Sequence, residues 1–200
     1  MPEKLRSFGS SYGVEIYRYE GGDRRLSGII FGADGMFLTA RHVVDFRIGE
    51  LPGFEFYPRY DNQEIDVAVR KDPVVKGPQL GYVDELTLAG CYCVTSIVGE
   101  PEKLIRIDGS LKPFYEPTLL SLFVPGAVSD IALFEGGTSG SPIIYQGKII
   151  GLIKGSKPES GIVVGVCFNL PDLRALLARY LNLSFVKIES GSVRKTWKPN

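Results

Sequence analysis

Apolar and polar residues alternate along this chain in short runs punctuated by turn signals, the pattern of antiparallel β-structure. Val14 to Tyr19 reads as a strand, ended by Glu20-Gly21-Gly22-Asp23. Leu26 to Gly32 returns, Ala33-Asp34-Gly35 turns the chain, and Met36 to Ala40 runs antiparallel to it. Asp34-Gly35 is a strong hairpin signal because glycine accepts the positive φ that a tight turn requires. Further strands are predicted over Phe54 to Tyr60, Ile65 to Arg70, Leu86 to Val98, Leu104 to Ile107, Leu119 to Val124 and Asp130 to Phe134. A second hairpin runs from Pro142 to Tyr145, through Gln146-Gly147, to Lys148 to Ile153, and Gly161 to Asn169 adds one more strand. Helical periodicity is confined to Pro171 to Leu181, where Leu173, Leu176, Leu177 and Tyr180 recur at three-to-four spacing behind a starting proline. Many short strands without an internal repeat imply an all-β barrel or sandwich.

Composition agrees with that pattern. The 200 residues suit one domain, or two small barrels sharing an interface, and 44% hydrophobic residues can fill a sizeable core. The 24 glycines, 11 phenylalanines and 10 tyrosines favour strands joined by tight turns. Lys plus Arg equals Asp plus Glu at 23 each, so no global field draws the chain to nucleic acid or to a membrane surface. No apolar run approaches the roughly 20 residues needed to span a bilayer. Met1 to Glu20 has no apolar core of the signal-peptide kind. Cysteines 91, 93 and 167 are odd in number, which argues against a disulfide framework and for a reducing compartment. The expectation is therefore a cytoplasmic protein. Cys91 and Cys93 share one face of a strand and read as core packing, since no second ligand pair is at hand to complete a metal site. Gly191 to Asn200 is polar, with Arg194, Lys195 and Lys198, and reads as a solvated tail.

Three segments carry chemistry. His42, the only histidine, follows a predicted strand in Phe37-Leu38-Thr39-Ala40-Arg41-His42-Val43-Val44. Imidazole is the ordinary side chain able to accept and return a proton at neutral pH. Asp66 lies just inside the apolar run of Glu64-Ile65-Asp66-Val67-Ala68-Val69. A carboxylate is disfavoured there unless something pairs with it, and an imidazole N–H would be a fitting partner. Glu135-Gly136-Gly137-Thr138-Ser139-Gly140-Ser141-Pro142 joins two strands. Glycines in such a loop let main-chain N–H groups converge on a developing oxyanion. The loop lacks the Gly-x-Ser-x-Gly elbow of the α/β-hydrolases, since Ser141 takes the last position, and it lacks the Gly-Lys-Ser/Thr ending of a phosphate-binding loop.

Together these segments resemble the trypsin-like peptidases, particularly the high-temperature-requirement type. Thr39-Ala40-Arg41-His42-Val43-Val44 is similar to that family's histidine segment, and Asp66-Val67-Ala68-Val69 to its aspartate segment. Gly137-Thr138-Ser139-Gly140-Ser141-Pro142 is similar to its nucleophile loop. The order His, Asp, Ser is the chymotrypsin-type order. Ile149-Ile150-Gly151-Leu152 and Val166-Cys167-Phe168-Asn169-Leu170-Pro171 resemble the following strand and the segment before the terminal helix, so the likeness covers about residues 10 to 183. Thr138 stands where the high-temperature-requirement type has Asn and digestive members have Asp, a departure that makes activation by a freshly cut amino terminus unexpected. Pro101 to Gly126 has no residue-by-residue counterpart, and little chain follows the helix to hold a peptide-binding module.

The resemblance implies two packed six-stranded antiparallel barrels, about 10–80 and about 85–170, with a helix at 171–182. They make up a peptidase domain over 1–183, followed by an extension at 184–200. It implies a serine endopeptidase without metal or other cofactor. His42 would be the general base, Asp66 its orienting partner and Ser139 the nucleophile, with the N–H groups of Gly137 and Ser139 binding the oxyanion. Ser141 is the rival nucleophile, and Asp61 and Glu64 are the rivals of Asp66. By the same resemblance Leu133 would floor the primary pocket, Phe168 and Asn169 would lie near its wall, and Glu135 is the residue that could make the pocket acidic. The partners are then a protein or peptide substrate and a regulatory protein. One form of this reading is an effector protease in a stress or defence system. The competing reading is a catalytically silent peptide-binding or scaffolding module on the same fold.

Overall fold

A computed structural model of the chain describes residues 5–7, 14, 16–19, 28–45, 51–56, 65–84, 87–95, 103–115, 119–125, 137–157 and 162–189. In the first half, β1 (Leu5–Ser7), β2 (Ile16–Tyr19), β3 (Gly28–Ala33), β4 (Met36–Thr39), β5 (Glu55–Phe56) and β6 (Ala68–Lys71) form one antiparallel sheet in the spatial order β1-β2-β3-β4-β6-β5. The turn between β3 and β4 has Gly35 at φ +73°, the left-handed conformation expected of Asp34-Gly35. A short helix α1 (Arg41–Asp45) follows β4 directly.

In the second half, β8 (Thr87–Thr95), β9 (Lys103–Tyr115), β10 (Leu119–Pro125), β11 (Pro142–Tyr145), β12 (Lys148–Lys157) and β13 (Ile162–Cys167) close a six-stranded barrel in the order β10-β13-β12-β11-β8-β9. Gln146 at φ +46° and Gly147 at φ +72° make the two-residue left-handed turn that joins β11 to β12 without splaying them. Each half thus contributes six antiparallel strands: the second closes into the expected barrel, and the first forms a sheet whose closure is not seen among the described residues. The predicted strand at Asp130 to Phe134, and residues 57–60 of the one at Phe54 to Tyr60, lie outside the described residues. Strand β9 is longer than Leu104 to Ile107. Gly109 and Pro113 discourage a strand reading locally, yet β10 pairs with β9 from Gly109 to Tyr115. Pairing with β8 ends at Ser110, so the missing N–H of Pro113 faces no second ladder.

Helix α2 (Pro171–Leu181) buries Leu173, Leu177 and Leu181, one residue per turn, while Tyr180 is exposed rather than part of the apolar face. Arg174 fastens it, its Nη1 donating to the Phe168 carbonyl at 2.6 Å and its guanidinium lying 3.6 Å from the Tyr82 ring centroid. Asn182 ends the helix in the left-handed region at φ 50°. Beyond it the chain returns to the fold: β14 (Val186–Lys187) pairs parallel with β7 (Gly81–Tyr82). The extension that starts at residue 184 is therefore partly structural, and Gly191 to Asn200 lies outside the described residues.

One apolar cluster spans both halves, running from Ile29, Phe31, Leu38 and Val43 through Val67 to Leu152, Val166, Phe168 and Leu177. Burying each of these side chains stabilises the fold by about 1.5–3 kcal/mol. Cys91, Cys93 and Cys167 pack in a second cluster with Ile143, Ile150 and Ile153, all three as free thiols. Burial pushes the Cys167 thiol up to about 12, so it stays neutral at ordinary pH. Among the described residues no helix is long and apolar enough to cross a membrane.

Candidate active site

Strand β4 delivers His42. Its last residue, Thr39, is fully buried and donates its hydroxyl to the Ile29 carbonyl at 2.7 Å, which fixes where α1 starts. Asp66 lies in extended chain just before β6, between buried Ile65 and Val67. The pairing of β4 with β6, Thr39 opposite Ala68, brings the two segments together across 24 residues of sequence. Asp66 Oδ2 is 2.7 Å from His42 Nδ1, and Oδ1 accepts the His42 main-chain N–H at 2.9 Å. The carboxylate is wholly buried, and the imidazole is 31% exposed. A carboxylate at Nδ1 keeps a proton there and leaves Nε2 as the acceptor.

Burial alone would push the Asp66 pKa up. The hydrogen bonds and charge of His42, with a further contribution from the Lys154 ammonium, outweigh that effect and hold it below the ordinary 3.8. Asp61 and Glu64, its rivals from sequence, lie outside the described residues.

The loop carrying Ser139 is clamped between the two halves. Gly140 adopts φ +86°, and a Cβ there would lie 2.2 Å from the Ile29 carbonyl oxygen and 2.5 Å from Thr39 Oγ1. Only glycine allows the loop to approach this closely. The Ser139 carbonyl accepts the Ile29 N–H at 2.8 Å, the Gly140 N–H reaches the Ile153 carbonyl at 2.8 Å, and the Ile153 N–H reaches the Ser141 carbonyl at 2.8 Å. A Cβ on Gly28 would meet both Val43, next to His42, and the Ser139 carbonyl. These contacts bring Ser139 to the start of α1.

Ser139 is half-buried, whereas Ser141 is fully buried, so Ser139 is the serine of the pair that meets solvent. Gly137 is buried with φ +97°. Among the described residues, neither its N–H nor that of Ser139 has an acceptor. A buried donor left open calls for an explanation, and a ligand oxygen is one.

No hydrogen bond joins the Ser139 hydroxyl to His42. The hydroxyl donates to the Lys154 carbonyl at 3.0 Å. Lys154 is the extra residue of a β-bulge, because β12 pairs Ile153 with Gly165 and Gly155 with Val164. It is a site residue that the sequence reading missed. Its one local signal is a charge ending the apolar run Ile149-Ile150-Gly151-Leu152-Ile153.

The expected specificity residues fare differently. Leu133 and Glu135 lie outside the described residues. Phe168 is fully buried, its ring centroid 5.0 Å from that of Phe185. It is a core residue and offers no surface to a substrate, which corrects its expected place on a pocket wall. The physical reason is packing: Phe168 shares an apolar cluster with Leu173 and Leu177 of α2 and lies against Phe185. Asn169 is half-buried.

No family model and no curated protein matches the sequence. Solved structures do. Rv3671c from M. tuberculosis H37Rv, in the inactive form of a serine-to-alanine mutant, is 17% identical with a TM-score of 0.53, over 86% of this chain and 88% of that one. Deg5 is 18% identical with a TM-score of 0.54, over 84% and 87%. A Glu endopeptidase is 16% identical with a TM-score of 0.54, over 88% and 95%. The chain has the chymotrypsin-like serine protease fold. In the chymotrypsin-like fold of this chain, His42 and Asp66 come from the first unit and Ser139 from the second, so the site lies where the two meet.

Proposed function

We propose that this protein is a serine endopeptidase. The observation that carries the reading is the buried Asp66 carboxylate doubly bonded to His42, beside a solvent-facing serine on a glycine-clamped loop. Ser139 Oγ rotates from the Lys154 carbonyl to His42 Nε2, which takes its proton as the oxygen attacks a peptide carbonyl. Asp66 orients the imidazole and stabilises its protonated form. The open N–H groups of Gly137 and Ser139 receive the oxyanion, each worth about 3 kcal/mol in comparable sites. His42 then protonates the leaving amine, and water hydrolyses the acyl ester by the same route in reverse. No cofactor enters these steps.

The substrate class that fits is a protein or peptide. Pairing between β11 and β12 ends at Leu152, and residues 155–157 of β12 pair only with β13 among the described residues. A Cβ on Gly155 would meet nothing within 4 Å. An extended peptide can add to such an edge as a further strand.

The Ser139–Lys154 hydrogen bond favours a second reading, a silent peptide-binding module whose serine never turns to the histidine. A fluorophosphonate probe separates the two. A peptidase takes the label on Ser139, and Ser139→Ala and His42→Ala variants do not. A folded wild-type protein that takes no label, yet binds extended peptides, establishes the silent module.

A further inference from the structure

Helix α1, which carries His42, does not stand by itself. Its 5 residues fall well short of the roughly 12–15 at which an isolated helix becomes even marginal in water. Val43 and Val44 are β-branched, and Arg41 at its first position and Asp45 at its last each oppose the helix macrodipole. Yet His42 is held to Asp66 by two hydrogen bonds, at 2.7 and 2.9 Å.

Arg41 supplies part of the missing support. Its side chain is only 7% exposed, its Nε donates to Asp45 Oδ2 at 3.0 Å, and its Cζ lies 4.3 Å from the centroid of the Phe56 ring. The Asp45 bond closes the single turn of α1, and the Phe56 contact ties that turn to another strand. In the order β4-β6-β5, Ala68 of β6 is flanked by Thr39 of β4 and Phe56 of β5. Arg41 follows Thr39 by two residues, so it links the end of β4 to β5 across the strand between them. Asp66 lies two residues before Ala68, on the segment that this link spans. A planar guanidinium bonds along its edge and stacks on its face at once, which neither an ammonium nor an apolar side chain does as well.

We propose that Arg41 is a positioning residue, its guanidinium held between Asp45 and the Phe56 ring so that His42 stays in hydrogen-bonding register with Asp66. The effect on turnover rests on the peptidase reading; the effect on the His42–Asp66 bond does not.

The test reads that bond. His42 is the only histidine, so the imidazole N–H signal of isotope-labelled protein belongs to it alone. Exchange of the His42 Nδ1 proton with water is measured in wild type, Arg41→Met, Phe56→Leu, Phe56→Tyr and the double variant Arg41→Met/Phe56→Leu. The Ile153 amide, bonded to the Ser141 carbonyl, serves as the reporter of general loosening. Arg41→Met and Phe56→Leu are each expected to speed Nδ1 exchange by roughly tenfold, the scale of one desolvated cation–π contact, with the Ile153 amide unchanged. Phe56→Tyr keeps the ring and is expected to match wild type. The double variant is expected to exchange no faster than Arg41→Met, because Phe56 acts through Arg41. Wild-type exchange in Arg41→Met overturns the proposal. So does equal acceleration at Nδ1 and Ile153, which a merely structural role produces, and so do additive effects in the double variant. If Arg41→Met does not fold, equal exchange in Phe56→Leu and Phe56→Tyr overturns it. On a peptide substrate, Phe56→Leu is expected to lower kcat and leave KM unchanged. A wild type that takes no fluorophosphonate label, while Nδ1 exchange responds as expected, keeps the role of Arg41 and refutes the peptidase.

Discussion

Asp66 receives two hydrogen bonds from one residue, Nδ1 of His42 at 2.7 Å and the His42 main-chain N–H at 2.9 Å. Both carboxylate oxygens face donors, so no amide orientation can replace them: an Asn presents one oxygen and one NH2. Asp66→Asn therefore either repels the main-chain N–H or forces the imidazole into the wrong tautomer. Turnover is expected to fall on the order of 10⁴-fold, with the Ser139 loop unchanged. Near-normal kcat on a peptide substrate would remove Asp66 from the mechanism.

The same pair links stability to pH. The folded Asp66 pKa is below its ordinary 3.8, so the folded state binds this proton less tightly than the unfolded chain does. Its contribution is complete above the ordinary value and is lost as pH falls through the folded one. Urea midpoints of wild type and Asp66→Asn, measured from pH 6 down to pH 2.5, are expected to converge below about pH 4. A constant gap across that range contradicts the linkage.

Serine exchange tests the nucleophile. Ser139→Ala is expected to abolish peptidase activity and probe labelling without unfolding the protein, since the lost hydroxyl makes one part-buried hydrogen bond. Ser141→Ala, at a fully buried position, is expected to cost about 1 kcal/mol and to keep substantial activity. The reverse pattern identifies Ser141 as the nucleophile.

Two glycines with similar φ make a controlled comparison. A methyl group at Gly140 meets the Ile29 carbonyl oxygen at 2.2 Å, whereas one at Gly147 meets nothing within 4 Å. Gly147→Ala is expected to cost only the backbone strain, about 1–3 kcal/mol, and to remain active. Gly140→Ala adds a clash with rigid backbone and displaces the Ser139 loop, with loss of activity and a larger fall in Tm. Equal Tm values for the two variants would show that the loop is not clamped.

Specificity is expected to be apolar, on the strength of Leu133 at the position six before Ser139. An apolar floor cannot compensate a buried Lys or Arg, whose desolvation costs several kcal/mol. A peptide-library profile with cuts after Val, Ala, Ile or Leu supports this. Cuts after Lys or Arg transfer the role to Glu135.

Much of the candidate site was legible in the chain before any folding was considered. A histidine directly after a strand, an aspartate inside an apolar run and a serine among glycines are local patterns. Hairpins at Asp34-Gly35 and Gln146-Gly147 follow from turn chemistry, and the helix at Pro171 to Leu181 follows from its period. These features depend on neighbours a few residues away, and such constraints are written directly in the sequence. The structure alone decided what depends on pairing between distant segments. It joined His42 to Asp66 through the β4–β6 register, carried β9 through Gly109 and Pro113 beside β10, and buried Phe168 in a cluster with Leu173, Leu177 and Phe185. It also returned residues 186 and 187 to the fold as a strand beside β7. Above all it made Lys154 a bulge residue. A bulge is a mismatch in count between two strands, and neither strand alone contains that information.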